Sequence, residues 1–160
     1  MTLPLHRVSH AQIAVLMTCY NRCGTTLACL DVLYQQEADI KVYLVNDGST
    51  DNTQSTIQEK YPQVNILQGD GSLFWVGGMH LAFEEALKHK HPYYLWLNDD
   101  TLLENSALHT LVGAHCALAQ EGYRDSIVVG SVRDPNTGKQ TYGGRVRSTR
   151  RQSIKSEVVI

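Results

Sequence analysis

The sequence predicts an α/β sandwich with a mostly parallel central sheet. Three observations carry that expectation. Continuous apolar runs stand at Ile13-Ala14-Val15-Leu16-Met17, Val42-Tyr43-Leu44-Val45 and Tyr93-Tyr94-Leu95-Trp96-Leu97, the mark of central strands covered on both faces. Segments of helical period lie between the runs, so strand and helix alternate, which calls for right-handed crossovers. Each run also ends in a polar cluster, and in open α/β sheets the ligand crevice lies at the carboxyl ends of the strands.

The elements follow in order. After the first strand, Leu27, Leu30 and Tyr34 mark a helix. A short polar helix from Asn52 to Lys60 follows the second strand, with Ser49-Thr50-Asp51 as cap signals. Val64-Asn65-Ile66-Leu67 is a weaker strand. The glycine-rich stretch Gly69 to Gly78 reads as a loop ahead of the clearest helix, which carries Met79, Ala82, Phe83, Ala86 and Leu87 on one face. Beyond the third apolar run, Leu108, Leu111, Val112, His115 and Ala119 mark another helix. After Ile127-Val128-Val129-Gly130, the segment Asp134-Pro135-Asn136-Thr137-Gly138 is a turn that closes a hairpin.

Composition narrows the function. The chain has 160 residues, 42% of them hydrophobic, which suits one compact core. Its formal net charge of -2 is not that of a dedicated nucleic-acid binder. No apolar run approaches the roughly 18–20 residues that span a bilayer, and the start lacks a basic stretch leading into a long apolar segment. A cytoplasmic protein is expected, with peripheral attachment at the inner face of the membrane as the variant. Cys19, Cys23, Cys29 and Cys116 lack paired zinc spacing and read as reduced thiols. His115 and Cys116 are adjacent on a helix, point about 100° apart and do not suit one ion. Residues 139–160 hold 6 of the 14 basic residues and a single acid, Glu157. This basic tail reads as a solvated terminus, with an anion-binding arm as the alternative.

Three clusters occupy the expected carboxyl edge: Thr18-Cys19-Tyr20-Asn21-Arg22, Asn46-Asp47-Gly48-Ser49 and Asn98-Asp99-Asp100-Thr101. A helix-capping turn accounts for Ser49, Thr50 and Asp51 and leaves Asp47 to be explained. Asp99 and Asp100 have a capping reading near Asn105. Two like charges at the mouth of an apolar strand nevertheless call for a cation or ligand donors, and hard divalent cations favour carboxylate oxygens. In the loop Gly69-Asp70-Gly71-Ser72-Leu73-Phe74-Trp75-Val76-Gly77-Gly78, glycine permits close backbone approach to a ligand, and the helix N-terminus beyond favours phosphate. Phe74 at the third glycine position excludes a dinucleotide fingerprint. Phe74 and Trp75 read equally as core beneath the loop, and His80 as a surface or capping histidine within reach of a phosphate.

The order of these motifs resembles the nucleotide-sugar-binding half of a family 2 glycosyltransferase with the GT-A fold, over residues 11–144. Residues 1–10 would then be an N-terminal extension and 145–160 the basic tail, the acceptor-side half being truncated or absent. Phe74-Trp75-Val76-Gly77-Gly78-Met79 is similar to the rhamnosyltransferase-like branch. The resemblance implies that Thr18, Tyr20 and Asn21 line the nucleobase pocket and that Asp47 hydrogen-bonds the base. Gly77 and Gly78 join the donor site. Asn98-Asp99-Asp100 stands at the Asp-X-Asp motif, which makes Asp100 the ligand of Mg²⁺ or Mn²⁺ and Asp99 a ribose or sugar contact. Asn98 replaces the first acid and lowers the negative charge there.

The expected activity is transfer from a UDP- or dTDP-sugar to a hydroxyl of a glycan or lipid-linked acceptor, with inversion. The cation would offset charge growing on the leaving nucleoside diphosphate. A carboxylate base is required, but the acids after Glu121 are Asp125, Asp134 and Glu157, and none lies in an acceptor-side context, so the catalytic base is unknown. Two other readings stay open: a non-catalytic nucleotide-sugar-binding or assembly module, and a sugar-1-phosphate nucleotidyltransferase. A homo-oligomer is a further expectation, since a sheet edge left open after Gly144 invites pairing.

Overall fold

A computed structural model describes residues 13–143 of the chain. Residues 1–12 and 144–160, and with them the N-terminal extension, the basic tail, Glu157 and the edge after Gly144, lie outside the described residues. Two compact units divide the chain after Asn105.

In the first unit, β1 (Ile13–Cys19), β2 (Ile40–Asn46), β3 (Asn65–Gln68) and β4 (Tyr93–Trp96) form one parallel sheet in the order β3-β2-β1-β4. Helices α1 (Cys23–Leu33), α2 (Thr53–Lys60) and α3 (Phe74–Leu87) make the crossovers. β1 and β2 run in register from Ile13 opposite Ile40 to Cys19 opposite Asn46, and both are almost wholly buried, as their unbroken apolar runs require. One sheet face, formed by Ala14, Leu16, Tyr43 and Val45, packs on Met79, Ala82 and Ala86 of α3. α1 and α2 add Cys29, Leu30, Leu33 and Ile57 to the interior. The α1 stripe is Thr26, Cys29, Leu30 and Leu33 rather than Leu27, Leu30 and Tyr34. The polar Thr26 lies on the buried side because its hydroxyl meets Asp99 there.

Two expectations need correction. The third apolar run is not a central strand: β4 ends the sheet among the described residues, and Trp96 is half exposed. An apolar run of this kind reports hydrophobic content, which an edge strand of aromatic residues shares. The glycine-rich stretch is also not loop throughout, because α3 begins at Phe74 and takes in Gly77 and Gly78. Gly78 sits where α3 crosses β1, and a Cβ there would lie 2.3 Å from Thr18 Oγ1. The glycine is therefore a helix-on-strand contact.

The second unit contains α4 (Ala107–Gln120) and a hairpin of β5 (Val132–Arg133) and β6 (Gln140–Tyr142). Asp134 shapes the hairpin turn, its Oδ1 accepting the Asn136 and Thr137 N–H groups, and Gly138 turns the chain at φ +65°. The run Ile127–Gly130 forms no strand, and Ile127 is exposed. Among the described residues no helix is long and apolar enough to cross a membrane.

Gly78→Ala should destabilise the chain by about 1–3 kcal/mol through overpacking against Thr18. Gly24→Ala, with open space around its Cβ, should leave stability unchanged or slightly raised. Urea denaturation of the two variants checks the contrast.

Candidate functional site

Because the four strands are parallel, β1, β2 and β4 discharge their polar ends onto one edge of the sheet. The first two ends are cross-tied. Asn21 adopts a left-handed conformation, φ +50°, which asparagine tolerates better than most residues. That conformation aims its side chain at the neighbouring loop, where Oδ1 accepts from the N–H groups of Thr50 at 2.7 Å and Asp51 at 3.3 Å. In return the Asn21 N–H donates to Ser49 Oγ at 3.0 Å. Ser49 and Thr50 thus tie two loops together, and of the three cap signals only Asp51 caps α2, accepting the Thr53 N–H. Tyr20 stands half exposed beside this tie.

Asp47 is buried at the end of β2. Its Oδ1 accepts the N–H of Gly71 at 2.9 Å and of Leu73 at 3.4 Å, and its Oδ2 accepts the N–H of Phe74 at 2.9 Å. Those are the unsatisfied donors ahead of α3 and at its first residue, where a negative charge is stabilised by the helix dipole. The anion held at this helix N-terminus is therefore the protein's own carboxylate. Gly69 makes the approach possible: a Cβ there would lie 2.4 Å from Asp47 Oδ1. Phe74 has φ +53°, an outlying conformation for an aromatic residue. Its ring is exposed, as is about half of Trp75, so neither lies in the core beneath a loop.

At the third strand end the charge arrangement differs from the sequence expectation. Asp99 and Asp100 cap no helix; both face Arg22 from the loop after β1. The guanidinium holds Asp99 Oδ1 at 3.1 Å and Asp100 Oδ2 at 3.0 Å. The Thr26 hydroxyl lies 3.1 Å from Asp99 Oδ2. Asp99 is buried and both its oxygens are engaged, whereas the Asp100 side chain is 49% exposed. Burial raises the Asp99 pKa, and Arg22 and Thr26 oppose the rise. The hydrogen bond from Arg22 to Asp100 holds the guanidinium still more firmly protonated. Asn98 Oδ1 accepts the Trp75 indole N–H at 2.9 Å, joining the start of α3 to this turn. Among the described residues no three His, Cys, Asp or Glu side chains are grouped to hold a metal.

Sequence reasoning passed over Arg22, although it placed that residue in the first cluster. The available signal was charge balance, because an acidic pair at an apolar strand end needs a cation and Arg22 is the base at a neighbouring strand end. Cys19, Cys23, Cys29 and Cys116 form no disulfide with one another. Burial, helped by the charge on Asp99, pushes the thiols of Cys19 and Cys29 up to about 12.

A parallel sheet with crossover helices and a polar, charge-paired carboxyl edge defines an open α/β domain of the class whose ligand crevice lies at the strand ends. The family model described as "Glycosyl transferase family 2" matches residues 14–158, and the chain belongs to that family. Chondroitin synthase of Pasteurella multocida (strain Pm70) is 31% identical over 109 residues, covering 65% of this chain and 11% of the synthase. Hyaluronan synthase of Pasteurella multocida is 32% identical over 101 residues, covering 60% of this chain and 10% of that protein. The chain therefore spans about a tenth of the length of these relatives. Among solved structures, the mannosyltransferase PcManGT from Pyrobaculum calidifontis, in complex with GDP-Man and Mn²⁺, superposes with TM-score 0.55 at 22% identity over 78% of this chain and 36% of that one. S. aureus TarS 1-349 in complex with UDP-GlcNAc gives TM-score 0.56 at 19% identity over 66% of this chain and 32% of that one. At these identities the likeness is one of fold.

Asp47→Asn should destabilise the chain by about 2–4 kcal/mol, since it removes the negative charge facing the start of α3 and replaces one of the two accepting oxygens by an amide donor set against backbone N–H. Thermal melting followed by circular dichroism checks this, and an unchanged melting temperature would remove the clamp. In native protein at neutral pH, iodoacetamide should modify the partly exposed Cys23 well before Cys19 and Cys29, read by peptide mass spectrometry.

Proposed function

We propose that this chain is the nucleotide-sugar donor domain of a metal-dependent glycosyltransferase. The observation that carries the reading is the convergence of Thr18 to Arg22, Asn46 to Asp51 and Asn98 to Asp100 on one sheet edge, in a chain of glycosyltransferase family 2. In this reading Thr18, Tyr20 and Asn21 border the nucleobase, with the half-exposed Tyr20 ring as the stacking surface. Asp47 accepts a hydrogen bond from the base while its oxygens hold the start of α3, so the clamp and the base contact share one carboxylate. Gly77 and Gly78 belong to the donor site in this reading, Gly78 by letting α3 pack close on Thr18, and Asn98 and Asp99 lie toward the ribose and sugar.

The donor set fits a hard divalent cation of the Mg²⁺ or Mn²⁺ kind, which is commonly held by one or two carboxylates together with substrate phosphates and water. Asp100, half exposed beside the buried Asp99, is the residue that would hold it. The ion would supply Lewis-acid stabilisation of the departing nucleoside diphosphate. Transfer goes to an acceptor hydroxyl of a glycan or lipid carrier by direct displacement with inversion. UDP and dTDP sugars are the proposed donors, and the likeness of Phe74 to Met79 to the rhamnosyltransferase-like branch belongs to this proposal. So do a cytoplasmic setting and a homo-oligomeric state.

One observation favours a second reading, a nucleotide-sugar-binding module without turnover. The Asp134 carboxylate is committed to its own turn, and the Thr137 and Asn136 N–H groups hold its pKa below the ordinary range, which suits a structural acid rather than a general base. The family match favours glycosyl transfer over the nucleotidyltransferase reading.

Calorimetric titration with UDP, dTDP and GDP, each in Mn²⁺ and in EDTA, tests the donor reading. Binding of one nucleotide strengthened by Mn²⁺ is expected, and absence of binding to all three overturns it. Asp100→Ala should abolish the Mn²⁺-dependent part of the affinity with the circular dichroism spectrum unchanged. An undiminished response to Mn²⁺ in that variant would remove Asp100 as the ligand.

A further inference from the structure

Arg22 stands where the negative charge of the site is concentrated. Its guanidinium spans a buried and a half-exposed carboxylate at 3.1 and 3.0 Å, while its own side chain remains 45% exposed. The two carboxylates are unequal partners. Asp99 is enclosed and also meets Thr26, so its bond to Arg22 is the anchored one. Asp100 faces solvent, so its bond is the exchangeable one. A planar guanidinium with five donors is also the side chain best matched to phosphate oxygens. Asn98 adds no charge to the turn, and its carbonyl is occupied by the Trp75 indole.

We propose that Arg22 is the resident cation of the diphosphate site: anchored on Asp99, it neutralises Asp100 in the free protein and turns its outer N–H groups onto the diphosphate when the nucleotide sugar binds. The inference rests on the donor reading above and assigns Arg22 two consequences for that site. Nucleoside diphosphate retains part of its affinity without divalent ion, because one cation is built in. Divalent ion alone binds weakly, because it must displace Arg22 from Asp100, and nucleotide and metal therefore assist each other.

Three proteins decide it: the parent chain, Arg22→Gln and Asp100→Asn. UDP, dTDP and GDP are titrated in EDTA, and Mn²⁺ alone is titrated by the electron paramagnetic resonance signal of the free ion. Arg22→Gln should lower EDTA-resistant nucleotide affinity by about tenfold or more, the worth of charge-assisted hydrogen bonds to phosphate. The same variant should bind Mn²⁺ alone several-fold more tightly than the parent. Asp100→Asn, which frees Arg22, should keep or raise the EDTA-resistant affinity while losing the response to Mn²⁺. If Arg22→Gln fails to fold, the Asp100→Asn comparison still decides. EDTA-resistant affinity lost in Asp100→Asn, or unchanged in a folded Arg22→Gln, overturns the role of Arg22 and leaves the donor site standing if the parent binds nucleotide with Mn²⁺. Failure of the parent to bind any of the three nucleotides in Mn²⁺ overturns both.

Discussion

The edge of this domain is organised by one carboxylate. Asp47 gathers three backbone N–H groups at the start of α3, and three otherwise independent features depend on it. It stabilises a helix whose first residue, Phe74, has an outlying backbone conformation. It pulls the glycine-rich loop against the end of β2, where Gly69 and Gly48 leave room for that approach and Gly71 turns at φ +87°. It also neutralises the helix dipole from within, which changes what the edge attracts. A helix N-terminus already holding a buried carboxylate is a poor phosphate cradle, so the attraction for a diphosphate must come from elsewhere on the edge.

Arg22 is the group placed to supply it. Two adjacent acids at the end of a strand repel each other, and one of them is buried, where an unpaired charge is expensive. The guanidinium resolves both problems with one side chain. Its carrier loop is held in turn by the tie between Asn21 and the Ser49 to Asp51 segment. The loops after β1 and β2 and the turn after β4 therefore form a connected polar network, and the network is asymmetric: Asp47 and Asp99 are buried and rigidly partnered, while Tyr20, Arg22 and Asp100 face outward. Groups of the first kind shape a site. Those of the second are the more open to a ligand and the freer to change partner.

The same division bears on substitutions at this edge. Loss of nucleotide binding on changing Asp47 reports lost clamp and lost contact together, whereas Asp100 carries little of the fold. Thr18 shows the coupling from the other direction. Its hydroxyl touches the Cα side of Gly78, so a residue singled out for the nucleobase also sets how closely α3 packs on β1.

The sequence by itself determined the class of fold, the parallel strands and the edge on which the polar clusters meet. Those properties follow from local facts: an unbroken apolar run needs cover on both faces, and parallel strands set their carboxyl ends side by side. The hairpin at Asp134 to Gly138 was legible for the same reason, since its turn is built from neighbouring residues. Only the tertiary structure decided that β4 ends the sheet among the described residues, that α3 starts at Phe74, that Asp47 holds the start of that helix and that Arg22 pairs with Asp99 and Asp100. Each of these depends on partners far apart in the chain, Asp47 with Phe74 and Arg22 with Asp99 and Asp100. Residue spacing along the chain carries no record of such pairs, because strand order and loop approach are set by packing of the whole sheet rather than by local period.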